Sequence, residues 1–254
     1  EALGEKLLVR SGRTVVLTDI GRTVYRYADE ILGLDRELLE AVKGRPTRPG
    51  RLAVGVTMVV PKLIAYQMLE PALRLLEPIR MDCVGHRLER LLAELAVYSL
   101  DLVLADAPAP PAVKVRAYSH LLGECGVSVF GAERVAAAHR RGFPRSLDGA
   151  PFLLPSEDSA LRLSLEEWFR KHGIRPRVVG TFEDSALLDA FGQAGSGLFA
   201  MPWAIEAEVK RQYKVRVVGR LDSVRQRFYA ITVERKLRNP AALAISERAR
   251  ALFS

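Results

Sequence analysis

The stretch that decides the fold is RLAVGVTMVVPKLIAYQML, residues 51–69. Leu52–Val56 is a short β-prone apolar run, and Pro61, with its fixed φ and missing N–H, then opens a helix expected to reach about Leu76. The same alternation continues outward. Ile79–Val84 is predicted as a strand, His86–Val97 as a helix and Asp101–Ala105 as a strand, and after the turn Pro108–Pro111 come extended segments Val113–Tyr118 and Gly126–Phe130. A second round follows with strand Phe152–Leu154, helix Ala160–Lys171, strand Val178–Phe182, helix Asp184–Ala194 and strand Leu198–Met201. Val215–Val218 and Phe228–Val233 close the pattern as strands, and Pro240–Leu252 as a helix. Such alternation builds parallel sheets covered by helices on both faces. Two rounds predict two α/β lobes, the first over residues 51–124 and 226–254, the second over 125–225, with chain crossings near Gly123–Gly126 and Gly219–Gln226. A ligand is then expected in the crevice at the carboxyl ends of the strands.

Upstream the pattern differs. Leu7–Arg10 and Thr14–Leu17 flank Ser11–Gly12 as a hairpin, and Thr18 is an N-cap for a helix over residues 18–43. Its apolar positions Val24, Tyr27, Ile31, Leu34, Leu38 and Ala41 step by three and four in turn, the narrow seam of a coiled coil, which predicts dimerisation through this helix. Residues 44–50, GRPTRPG, form a stiff hinge linker before the domain at 51–254.

Composition sets the outer bounds. The 254 residues carry 38 Lys and Arg against 30 Asp and Glu, a formal charge of +8, with 49% hydrophobic residues, which excludes disordered, collagenous and disulfide-dense chains. The apolar runs, such as Leu52–Val60, are too short to span a bilayer, and Glu1–Arg10 mixes acids with bases and has no apolar stretch behind it, so a cytoplasmic protein with no membrane partner is expected. Cys83 and Cys125 lie in apolar segments and are expected as reduced, buried thiols. Charge is uneven: residues 205–254 hold twelve bases and five acids, whereas residues 181–204 hold three acids and no base. The basic total fits nucleic-acid binding without forming a compact stripe.

Catalytic signatures are missing. There is no Gly-Lys pair for a Walker loop, and Gly192–Gly197 reads G-x-x-G-x-G, not the dinucleotide fingerprint. His86, His120, His139 and His172 are too far apart for a helical metal pair, and no G-x-S-x-G elbow occurs. A non-enzyme is expected, while an α/β enzyme, which would show turnover, stays open as a third reading on this negative evidence alone. The candidate site comes instead from placement. Thr57–Lys62 and Ser156–Ser159 each leave a strand and precede a helix, so both aim free N–H groups into the crevice. Asp106 follows the third strand; Glu183, Asp184 and Ser185 open the helix after Phe182; Phe199 and Met201 lie on the strand that follows. Ordinary helix capping by Ser159 and Asp184 is the competing explanation.

Two stretches resemble a known family. Leu3-Gly4-Glu5-Lys6-Leu7-Leu8-Val9-Arg10 with Leu17-Thr18-Asp19-Ile20-Gly21, and Ala194-Gly195-Ser196-Gly197-Leu198-Phe199-Ala200-Met201-Pro202, are similar to LysR-type bacterial transcriptional regulators. Leu8 stands where that family usually has Phe. Within it, Val24-Tyr25-Arg26-Tyr27-Ala28-Asp29, Gly123-Glu124-Cys125-Gly126-Val127-Ser128 and Asp189-Ala190-Phe191-Gly192 resemble the branch of sodium/proton antiporter gene activators called NhaR.

The resemblance implies a two-lobe, periplasmic-binding-protein-like effector domain preceded by a wing remnant (residues 1–17) of a winged helix-turn-helix whose recognition helix lies upstream, and by the dimerisation helix. It implies a homodimer or homotetramer that binds promoter DNA through the full-length protein, engages RNA polymerase and activates transcription without any cofactor other than a small effector. Arg10 and Arg13 of the wing are the candidate phosphate contacts. The effector set is Thr57, Met58, His86, Asp106, Ser156, Ser159, Glu183, Asp184, Ser185, Phe199 and Met201. Its chemistry is drawn two ways: helix N-termini favour a small anion, whereas the branch implies sodium, for which the oxygen ligands are Asp106, Glu183 and Asp184. His86, read as opening a helix, is a candidate for pH sensitivity. A two-lobe solute-binding protein of a transport system is the alternative function.

Overall fold

The computed structural model describes residues 4–11, 14–25, 27–28, 31–32, 50–75, 79–111, 117–235 and 239–253. The chain divides into two compact units, Glu1–Gly50 and Arg51–Ser254.

In the first unit, β1 (Leu8–Ser11) and β2 (Thr14–Leu17) pair antiparallel, with Leu8 opposite Leu17. Helix α1 covers residues 19–25, with helical residues again at 27–28 and 31–32. The Thr18 hydroxyl accepts the Gly21 N–H at 2.9 Å and donates to the Lys6 carbonyl at 2.8 Å, so the expected N-cap also ties the helix to the hairpin. Arg10 is exposed on β1; of the seam, Val24 is half-buried and Tyr27 and Ile31 are exposed. Arg13, Leu34, Leu38 and the linker at 44–49 lie outside the described residues.

The second unit runs β3 (Gly50–Thr57), α2 (Lys62–Leu69), β4 (Ile79–His86), α3 (Leu88–Ala96), β5 (Leu102–Ala105), β6 (Tyr118–Ala132), α4 (Glu133–Arg140), β7 (Pro151–Pro155), α5 (Ala160–His172), β8 (Arg177–Phe182), α6 (Ser185–Gln193), β9 (Phe199–Pro202), α7 (Glu206–Tyr213), β10 (Val215–Thr232) and α8 (Pro240–Phe253). One mixed sheet has the order β4-β3-β5-β10-β6-β9, and the parallel pair β7-β8 joins it through the bridge Phe152–Leu198. The first lobe is built on β3, β4 and β5 with α2, α3 and α8; the second on β7, β8 and β9 with α4 to α7. Strands β6 and β10 serve both, paired antiparallel from Tyr118–Thr232 in the first lobe to Ala132–Val215 in the second.

Five elements depart from expectation. β6 and β10 are each one long strand where the sequence suggests shorter pieces, because the cross-strand ladder carries them through Gly123, Gly126 and Gly219. Gly126 is required there: a Cβ would stand 2.4 Å from the Trp203 ring. Pro71 converts the end of the first helix into a 3-10 turn at Glu70–Arg74. α7 falls where no helix is expected, ending at Lys214 with φ 54°. His86 ends β4 rather than opening a helix; Arg87 is the N-cap of α3.

The apolar faces meet in three clusters. One, with Leu52, Val54, Ile64, Met68, Phe199, Phe228 and Ile245, reaches both lobes; a second surrounds Phe152, Leu165, Trp168 and Phe169; a third packs α3 through Leu91, Leu92 and Leu95 on Val103. Cys125 belongs to the first, and burial pushes its thiol up to about 11. Cys83 is exposed on the edge strand β4, correcting the expectation of a core thiol there.

Candidate functional site

Parallel strands deliver their carboxyl ends to one rim, and the loops that leave them are stitched together. Met58 N–H donates to the His86 carbonyl at 3.3 Å, and Ser156 N–H to the Phe182 carbonyl at 2.8 Å. Ser185 ties the two lobes: its N–H donates to the Met58 carbonyl at 3.1 Å, and its Oγ to the Val60 carbonyl at 3.0 Å. Among these loops lies a cavity of about 170 Å³.

Thr57, Met58, Asp106, Ser156 and Glu183 all line it. Ser159 sits beside it as N-cap of α5, and Ser185 bridges the lobes as described. Asp184 caps α6, accepting the Ala186 N–H at 2.6 Å. His86, Phe199 and Met201 do not line the cavity; Phe199 stacks on Phe130 in the core at 5.8 Å between ring centres. Arg87, Glu89 and Asp158 line it although the sequence did not single them out. Asp158 lay within the loop already marked by Ser156 and Ser159, and Arg87 is one residue beyond His86, so the neighbourhood was legible and the side chain was not.

Asp106 is the centre of the arrangement. It is buried, and its Oδ2 accepts the Ala160 N–H at 3.2 Å and the Ser159 hydroxyl at 3.5 Å. Burial raises its pKa, against the pull of those hydrogen bonds, and Asp158 nearby raises it further. The positive end of α5 is thus already occupied by a carboxylate from the other lobe. This removes one of the two helix N-termini that favoured an anionic effector.

Two further features mark the cavity. Thr57 Oγ1 is buried, on a residue 3% exposed, and has no hydrogen-bond partner among the described residues. Arg87 donates through both Nε and its terminal nitrogen to Glu183, pairing the lobes at the rim. The lining therefore holds four carboxylates, Glu89, Asp106, Asp158 and Glu183, against the single base Arg87. Asp106, Glu183 and Asp184 each engage a different donor, and no group of three or more His, Cys, Asp or Glu is gathered for a metal ion among the described residues.

A second buried acid lies on α6. Asp189 is 2% exposed, burial lifts its pKa to about 7, and Tyr213 and Lys62 act against that shift. Its Oδ2 has no partner among the described residues.

Residues 46–254 match the LysR substrate binding domain. The chain is 31% identical over 245 residues to the transcriptional activator protein NhaR of Escherichia coli, covering 96% of this chain and 80% of that one. It is 28% identical over 256 residues to the RuBisCO operon transcriptional regulator of Allochromatium vinosum, covering 97% and 82%. Among solved structures, a Corynebacterium glutamicum OxyR variant in its hydrogen-peroxide-bound form superposes with a TM-score of 0.61 at 19% identity, over 99% of this chain and 80% of that one. These matches bear out the two-lobe α/β fold, and the relatives are transcriptional regulators, not enzymes. Among the described residues no helix is long and apolar enough to cross a membrane.

Proposed function

The chain belongs to the LysR family of transcriptional regulators, and from that premise we propose that it activates a sodium/proton antiporter gene when a small cation, sodium, occupies the acidic cleft. The observation that carries the reading is the composition of the cavity wall: four carboxylates and one already paired base in a chain of net charge +8, facing a buried Thr57 hydroxyl without a partner. Sodium is a hard cation that takes oxygen ligands, as calcium does. Thr57 Oγ1, Asp106 and Glu183 supply them, and the similarity to NhaR turns the cation reading toward antiporter control.

Mechanistically, the cation competes with Arg87 for Glu183 and with the Ala160 N–H for Asp106. Both contacts join the lobes, so binding has a different free energy in the open and closed arrangements, which is what a ligand needs to shift their populations. The pH arm of the response falls to Asp189 in place of His86. LysR-family regulators bind DNA and act as oligomers; here the paired surface is Val24, Tyr27 and Ile31 of a homodimer or homotetramer, Arg10 touches promoter phosphate, and RNA polymerase is the downstream partner in the cytoplasm. Relatives that are regulators disfavour the solute-binding alternative.

Thermal unfolding in sodium, lithium, potassium and choline chlorides at constant ionic strength tests this. A ligand at a hundred times its Kd adds about 2.7 kcal/mol to the folded state. Stabilisation by sodium and lithium alone, lost in Thr57→Val and Asp106→Asn, supports the reading. Equal curves in all four salts refute a direct sodium sensor.

A further inference from the structure

The end of the second lobe away from the cleft is strongly basic. Residues 139–149 and 168–177 hold seven Lys or Arg against the single acid Asp148. The first stretch is the end of α4 and the loop before β7; the second is the end of α5 and the start of β8. The fold brings them together. His139 Nδ1 lies 2.9 Å from the Ser146 carbonyl, which folds the loop back on the end of α4. Gly149 N–H donates to the Arg175 carbonyl at 2.9 Å, and Arg175 N–H donates to Asp148 Oδ1 at 2.8 Å. Pro151 stands opposite Arg177 at the amino ends of β7 and β8, whereas the cleft lies at their carboxyl ends.

Arg140, Arg141, Arg145, Arg170, Arg175 and Arg177 are all exposed at this pole, and none of their side chains has a hydrogen-bond or ion-pair partner among the described residues. Other arginines of the same lobe are paired: Arg162 with Glu166, Arg216 with Glu133 and Arg220 with Glu206. Helix dipoles account for Arg140 and Arg170, in the last turns of α4 and α5. They do not account for Arg145, Arg175 and Arg177, which lie outside both helices. Arg170 and Arg175 wall one hollow of about 340 Å³ between α5 and β8.

We propose that this pole of the second lobe rests on the phosphate backbone of duplex DNA and holds it without reading its sequence. Guanidinium groups suit phosphate, to which they donate two bonds at once. The patch lacks what a protein partner would need, an apolar centre: between residues 122 and 177 Leu163 is the one large apolar side chain that is exposed. Phosphates need only charge at the surface, and the counterions released on contact supply the free energy. The pole and the cleft occupy opposite ends of the same strands, so a change in lobe angle swings the arginines relative to the first lobe. An effector that prefers one angle then also sets whether the pole reaches the DNA.

The test is fluorescence anisotropy of a labelled short duplex of arbitrary sequence, titrated with the protein over a series of salt concentrations. In a plot of log K against log salt, the variant with Arg145→Gln, Arg175→Gln and Arg177→Gln should give a line shallower by about three, roughly one unit for each phosphate contact removed. Lysine at the same three positions should keep the parent slope, because the charge remains. The same drop is expected in a chain that also carries Arg10→Gln and Arg13→Gln, which separates this surface from the wing. No salt-dependent binding of the duplex, a parent-like slope in the glutamine variant, or an equal loss in the lysine variant overturns the proposal. Poly-glutamate that binds the parent more tightly than the duplex at equal salt, and is released by the glutamine variant, also overturns it, by assigning the surface to an acidic protein.

Discussion

The carboxylate of Asp106, one residue beyond the end of β5 in the first lobe, accepts a 3.2 Å hydrogen bond from the Ala160 N–H that opens α5 in the second. A side chain from one lobe thus caps a helix of the other, and every change in the angle between lobes must stretch or release that bond.

Asp106→Ala leaves the first N–H of α5 without its acceptor and should cost about 1 kcal/mol, the usual worth of a cap. Asp106→Asn keeps an acceptor and removes a buried charge whose pKa burial raises, so it should be at least as stable as the parent at pH 7. Hydrogen exchange of the Ala160 amide measures the difference: faster by about fivefold in the alanine variant, and near the parent rate in the asparagine variant. Equal acceleration in both would show that the bond does not hold the helix end.

The Arg87–Glu183 pair also joins the lobes, but its side chains are 60% and 52% exposed. A double-mutant cycle with Arg87→Gln and Glu183→Gln should return a coupling below about 1 kcal/mol that shrinks as salt rises. A larger, salt-insensitive coupling would mean that water does not reach the pair.

Asp189 gives a pH dependence with a definite sign. An unfolded aspartate titrates near about 4, and this one titrates at about 7 when folded. The folded chain therefore holds a proton that the unfolded chain releases, and stability falls as pH rises through that window, with the full loss present above 7. Asp189→Asn should match the parent at pH 4 and exceed it at pH 8 by about 2 kcal/mol or more, keeping an acceptor for the Tyr213 hydroxyl. Urea unfolding at the two pH values checks this; parallel pH profiles would clear Asp189 of any role in it.

Gly126→Ala places a methyl carbon 2.4 Å from the Trp203 ring, which must move. Overpacking of this kind costs about 1–3 kcal/mol. The expected accompaniment is a shifted tryptophan emission, because Trp203 loses its seat while Trp168, in the other cluster, keeps its own.

The alternation of strands and helices was legible because hydrophobic period and Gly or Pro punctuation coincide in the second half of the chain, as at α5, which ends on Gly173 in the left-handed region. It was less legible wherever long-range pairing overrides local signals. Gly219 and the polar residues after it look like a break, yet β10 runs on past a bulge at 222–224 because β6 supplies its ladder on either side. The same limit applies to the site. Thr57, Asp106, Ser156 and Glu183 could be placed from the rule that loops at carboxyl strand ends meet, which needs only topology. That Asp106 is spent on Ala160, or that Arg87 reaches Glu183 ninety-six residues away, depends on how two lobes lean together, and no local pattern encodes it.

The place of β10 has a consequence for how the molecule is made. It lies between β5 and β6 in the sheet, although it is the last strand among the described residues. During synthesis, the second lobe can close around β7, β8 and β9 while the first still lacks its central strand, with β5 and the first half of β6 presenting bare edges to each other. The first lobe's sheet therefore closes only when Phe228–Thr232 emerges, and its core only when α8 follows; during that interval its open sheet is the part of the molecule most in need of a chaperone.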